Sequence, residues 1–221
     1  MSKRWMTALL LALLATHAGA QATKPARPSY TADITRRTDE IVQALGINDA
    51  AKADRVRATL VDQYRDLRDL HDTRDATLKN TTDEAVKGKI KAASDADVKE
   101  LHEKFIAKLS ADLTSEQVEQ VKDKLTYNVV HVTYSAFQDM IPNLTTEQKA
   151  YILAQLEEAR EIAMDQGSSK EKHAVFGKYK GRINNYLAKQ GYDLKQANKE
   201  WAERRKAREA SAKQQPAPSQ D

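Results

Sequence analysis

"VRATLVDQYRDLRDLHDTRDATLKNTTDEAVKGKIKAASDADVKELHEKFIAKL", Val56 to Leu109, carries the reading of the fold. Its core-type residues recur at three and four. Val56, Leu60, Tyr64, Leu67 and Leu78, with His71 among them, make one stripe, and Val86, Ile90, Val98, Leu101, Phe105 and Leu109 make a second. That spacing places side chains on one face of an α-helix, whereas a strand would alternate at two. The short polar link at Asn80-Thr81 then predicts a long antiparallel helical hairpin. Ser94-Asp95-Ala96-Asp97 is where its second helix is expected to break.

Outward from the hairpin, the same periodicity runs from Thr31 to Ala210 with one proline, Pro142. The fold class is therefore all-α, a helical bundle in which shorter helices pack on the hairpin. Helix starts follow from capping boxes, in which a Ser or Thr accepts from the backbone three residues on and a Glu or Gln there reaches back. Thr81/Glu84, Thr114/Gln117, Thr145/Gln148 and Ser168/Glu171 fit this pattern, with Asp193/Gln196 as a variant. Gly46, Gly167 and Gly191 stand where a left-handed residue ends a helix. Helices are predicted at about 31–45, 49–79, 82–110, 115–126, 132–140, 146–166, 169–190 and 194–209.

The ends of the chain read differently. Lys3 and Arg4, an apolar run from Ala8 to Ala15 and Ala18-Gly19-Ala20 make residues 1–20 a signal peptide, cut between Ala20 and Gln21. The apolar run is far short of the roughly 20 residues that cross a bilayer, so no membrane insertion is expected. Export to the periplasm or the exterior follows as the expectation. Residues 21–29 and 210–221 read as disordered segments flanking a single all-α domain at 30–209. The absence of cysteine excludes a disulfide framework and thiolate metal sites.

The formal charge is +4, and it is unevenly spread. Lys170 to Glu209 holds twelve Lys or Arg against five Asp or Glu. Such an end suits an acidic partner such as a polyanionic glycan or a membrane surface, or is simply a solvated helix face. Nucleic acid is not expected as the partner of an exported chain.

Chemical motifs are sparse. "RDLRDLHDTRD", Arg65 to Asp75, spaces Asp66, Asp69, Asp72 and Asp75 by three among arginines, the pattern of a solvent-facing ladder of ion pairs. His71 lies on the apolar stripe as a core or border histidine. His102-Glu103 lacks the second histidine of a zinc helix, and His131 has no nucleophile pattern around it. No glycine-rich phosphate loop occurs, and no metal or cofactor is expected. The reading leans away from an enzyme, although a carboxylate pair assembled from distant helices, of the kind that cuts glycosidic bonds, has no sequence spacing to recognise.

"HAVFGKYKGRINNYLAKQGYDL", His173 to Leu194, supplies the candidate site. At 100° per residue its apolar arc holds Phe176, Tyr179, Ile183, Tyr186 and Leu187, and beside it runs a strip of Lys180, His173, Asn184, Gly177, Ala188 and Gly181. Two helix-interior glycines imply close approach of something to the backbone, either a neighbouring helix or a ligand. The ligand reading is a shallow groove rimmed by His173, Lys180 and Asn184, with Arg182 and Asn185 nearby and Tyr179 or Tyr186 as a stacking face. These donors suit hydroxyl or carboxylate groups.

Two resemblances add to this. "LTSEQ" at Leu113 to Gln117 and "LTTEQ" at Leu144 to Gln148 resemble the Leu-Thr-x-x-Gln motif of the Spy and CpxP periplasmic chaperones, which implies a helical surface that cradles unfolded clients. The same letters also spell a capping box, with Leu113 packing on Val118. Over a much longer span, "MIPNLTTEQKAYILAQLEEAREIAMDQGSSKEKHAVFGKYKGRINNYLAKQGYDLK" (Met140 to Lys195) and "RVRATLVDQYRDLRDLHDTRD" upstream are similar to an exported bacterial family, domain of unknown function 3826. The similarity runs from about Tyr30 to Arg208. Its members look like companions of polysaccharide-degradation systems, so it implies the binding of an oligo- or polysaccharide, or an accessory part in its breakdown. It carries no catalytic residues over.

Overall fold

The computed structural model describes residues 30–214. They form eight helices, with no strand among the described residues: α1 (Tyr30–Ala44), α2 (Ala50–Lys79), α3 (Glu84–Asp112), α4 (Ser115–Leu125), α5 (Val129–Met140), α6 (Thr146–Ala163), α7 (Ser169–Lys189) and α8 (Leu194–Gln214). The expected signal peptide, its cleavage point and the segment at 21–29 lie outside the described residues. α8 runs on to Gln214 rather than ending at 209.

Local chemistry explains most of the boundaries. Thr114 with Gln117 and Thr145 with Gln148 form reciprocal capping boxes at the starts of α4 and α6. Ser168 accepts from the Glu171 amide, and its hydroxyl donates to the Glu171 carboxylate. α3 departs from expectation. Asp83 is its cap, accepting from the amides of Ala85 and Val86, while the Thr81 hydroxyl turns back to the Thr77 carbonyl of α2. A carboxylate at a helix N-terminus also gains from the helix dipole, which favours Asp83 over the neutral threonine. Nor does α3 break at Ser94–Asp97. The helix runs through this stretch without interruption, with Ser94 buried.

Gly46 and Gly191 take the left-handed conformation expected of helix stops, at φ +62° and +92°. Gly167 does not. A Cβ there would lie 3.1 Å from Cδ2 of His71, so this glycine makes room for the close approach of a buried imidazole.

The apolar residues collect into two cores. One joins Ile41, Val42 and Leu45 of α1 and its end, Val56 and Leu60 of α2, Phe105 and Leu109 of α3, and Val118 and Val121 of α4. The other joins Val130 and Phe137 of α5, Ile152 and Leu156 of α6, and Phe176, Tyr179, Ile183 and Leu187 of α7. Between them runs a polar seam. Buried Arg160 of α6 donates to Asp123 of α4 at 2.6 Å and also pairs with Glu119, while Lys122 bridges Glu119 and Glu161 at 3.0 and 3.1 Å. His131 meets the other oxygen of Asp123 at 2.7 Å.

Lys172 of α7 donates to the carbonyls of Leu125 and Met164, at the C-terminal ends of α4 and α6. A cation there satisfies orphan carbonyls and opposes both helix dipoles. Burial nevertheless lowers the pKa of its ammonium to about 8.

Candidate functional site

α7 does not gather its six candidate residues into one place. Its wheel sends them to separate neighbours, because successive residues on a helix lie 100° apart. Arg182 stands 4.3 Å over the ring of Tyr179 and reaches to 3.7 Å from Glu158, which also accepts from the Tyr179 hydroxyl at 2.7 Å. Tyr186 stacks on Tyr151 at 3.9 Å between centroids, so its ring is engaged within the fold. His173 donates from Nδ1 to the Ser169 carbonyl at 2.7 Å and stacks on Tyr127 at 5.6 Å. Asn185 is exposed.

Gly177 and Gly181 are exposed, and a Cβ at either would meet nothing within 4 Å. Among the described residues, no helix packs on them.

Lys180 and Asn184 do share a site. They line an open groove of about 360 Å³ between α5, α7 and α8, together with Thr133, Asn198 and Trp201. Its floor and wall are Val132, Phe137 and Met140, and Val132 is two-thirds exposed, at 66 %. An apolar lining with a few amides, a hydroxyl and one ammonium is the composition of a small-molecule site.

The indole is held in place from α5. Trp201 Nε1 donates to Asp139 at 2.6 Å, and Arg208 pairs with the other carboxylate oxygen at 2.7 Å. These two donors, Arg208 first, hold the Asp139 carboxyl below its usual range. Arg204 donates to the carbonyls of Asp139 and Met140 at 2.9 and 3.1 Å, capping the C-terminus of α5 with a cation. Arg205 lies 5.2 Å over the indole ring. A tethered aromatic plane of this kind presents a fixed stacking surface.

A second concavity of about 340 Å³ lies where α1 and α2 meet the turn after α4. Arg37 donates to the Tyr127 hydroxyl at 3.2 Å, and burial pushes the neighbouring Tyr64 phenol up to about 12. Tyr127 reaches it from an unusual backbone. The amide of Asn128 bonds back to the Asp123 carbonyl and that of Tyr127 to Lys124, the two bonds of a Schellman ending, so tyrosine at φ +59° occupies the position normally given to glycine. Two of its three cationic side chains are already matched, since Arg36 pairs with Asp33 and Glu40, and Arg37 with Asp33, and Lys124 is the third.

Trp201, Asn198 and Thr133 were not singled out by sequence. One signal existed, since the chain has two tryptophans, Trp5 and Trp201, and only Trp201 lies within the described residues, in a basic helix otherwise poor in large apolar residues. Tyr127 gave none, because nothing in the letters says that a tyrosine will be left-handed.

The family model DUF3826, a protein of unknown function, matches residues 31–207. The chain belongs to the DUF3826 family. The DUF3826 match takes in both cores, the seam and the residues lining the groove, and of the described residues Tyr30 and the end of α8 from Arg208 lie outside it. No curated protein matches the chain.

Proposed function

We propose that this DUF3826 protein binds a carbohydrate, an oligo- or polysaccharide segment, in the groove between α5, α7 and α8. The observation that carries the reading is the tethered indole of Trp201 facing the same 360 Å³ space as two carboxamides and an ammonium. Sugar rings offer an apolar C–H face for stacking and a rim of hydroxyls that carboxamides satisfy as both donors and acceptors. Lys180 adds a charge that a uronic acid or sulfated sugar would meet. None of the groove-lining side chains is a carboxylate or an imidazole, the groups that cleave glycosidic bonds, which supports binding over cleavage.

The leader supports an exported location for this role, in the periplasm or outside, after cleavage between Ala20 and Gln21. No helix among the described residues is long and apolar enough to cross a membrane.

Isothermal titration against neutral and acidic oligosaccharides tests the proposal. Trp201→Ala is expected to weaken binding about tenfold or more, with smaller losses for Lys180→Ala and Asn184→Ala. Silence across the panel, or full affinity in Trp201→Ala, would overturn it.

A further inference from the structure

A further concavity lies on the α2–α3 half of the protein. It is a groove of about 570 Å³ along the outer part of the α2–α3 hairpin. Both cores stop short of this region: α2 contributes Val56 and Leu60, and α3 contributes Phe105 and Leu109, all near the base of the hairpin. Leu70, Ile90, Ala93 and Leu101 line the groove, and none of them belongs to either core. Away from the base, α2 meets the turn after α6 through His71 and α3 meets Asp165 through His102, while Val86, nearer the tip of the hairpin, is 43 % exposed.

The rim of this groove is acidic. Asp66 and Asp69 on α2 and Asp97 on α3 are exposed and, among the described residues, take part in no ion pair or side-chain hydrogen bond. Arg74, the one cation that lines the groove, is occupied by Asp75 at 2.8 Å. The expected ladder of ion pairs is therefore incomplete: Asp72 takes Arg68 and Asp75 takes Arg74, while the two aspartates facing the groove are left over. Ser94, which also lines it, is 8 % exposed, and its hydroxyl has no partner. A buried hydroxyl without a partner is a polar atom whose hydrogen bond the fold itself does not supply.

We propose that this groove is a docking site for a cationic amphipathic segment of another polypeptide. Leucine-like side chains of the segment lie on Leu70, Ile90 and Leu101, and its lysines or arginines meet Asp66, Asp69 and Asp97. Helices with an apolar face and charged flanks bind such channels through anchors at three- and four-residue spacing. The charge pattern selects the sign of the partner, since like charges set opposite each other oppose docking. Sugars are poor candidates here, because the groove offers no aromatic platform.

Fluorescence anisotropy tests this, using a labelled 14-residue amphipathic peptide of leucine and lysine against the same peptide with glutamate for lysine. The lysine peptide is expected to bind and the glutamate peptide not. The triple variant Asp66→Asn, Asp69→Asn and Asp97→Asn should weaken binding about tenfold at low salt. Trp201→Ala should leave it unchanged, which separates this groove from the carbohydrate reading. Equal binding of both peptides, full affinity in the triple variant, or loss in Trp201→Ala would overturn the proposal. So would concentration-dependent self-association that the triple variant abolishes, since the occupant would then be a second copy of this chain.

Discussion

The glycines show how far a single residue's meaning depends on its surroundings. Gly177 and Gly181 look in sequence like positions of close approach, yet their Cα atoms face open space. Gly167 looks like an ordinary helix stop, yet it makes room for the His71 ring, whose Nε2 donates to the Asp165 carbonyl at 2.8 Å. Opposite outcomes follow for the same substitution. Gly177→Ala and Gly181→Ala should each stabilise the protein by up to about 1 kcal/mol, because alanine loses less backbone entropy in a helix. Gly167→Ala should destabilise it by about 1–3 kcal/mol, since the ring is buried and hydrogen-bonded and has little freedom to retreat. Urea unfolding midpoints of the three variants check this. A destabilised Gly177→Ala would mean that something does approach that strip. The candidate site was half legible at this scale: Lys180 and Asn184 could be read from the wheel of α7, whereas Trp201 joins them only because Asp139 and Arg208 fix α8 across α5.

At the scale of the element, the helices were legible because their ends are written in local chemistry. Thr114-x-x-Gln117 and Thr145-x-x-Gln148 specify a start whatever packs around them, so α4 and α6 begin where they were expected. α5 begins at Val129 rather than near 132, and the reason is the turn before it. Tyr127 and Asn128 are both left-handed, and the chain enters α5 directly from that turn. A non-glycine residue in this conformation costs roughly 1–2 kcal/mol. Here the offsetting contacts are the Arg37 hydrogen bond and the His173 stack. Tyr127→Ala keeps the strain and loses both contacts, while Tyr127→Gly loses the contacts and the strain together. The glycine variant should therefore be the more stable of the two by about 1 kcal/mol, as thermal or urea unfolding would show. If the alanine variant were the more stable, the turn would not be strained.

For the whole molecule, the seam decides how the halves respond to their surroundings. His102 of α3 holds Asp165, at the end of α6, through Nδ1 at 2.7 Å. That hydrogen bond, ahead of the opposing effect of burial, raises the imidazole above its ordinary 6.5. A folded-state pKa above the unfolded one contributes stability that is complete below 6.5 and is lost as pH rises through the folded value. The thermal midpoint should thus fall as pH rises above about 6.5, and His102→Gln should flatten that fall; an unchanged profile would show that the pair does not link the halves. This arrangement was not legible in sequence, because its members are separated along the chain by dozens of residues and carry no shared spacing. The existence of two cores has an evolutionary side as well. Aliphatic side chains that do not touch can change size independently, so each half is free to drift in its own packing. Arg160 and Asp123 are buried against each other, and losing either strands the other as a buried charge, while Glu119 and His131 complete the pair from its more exposed edge. Descent should leave the two interiors variable in different lineages and make the polar residues between them change together or not at all.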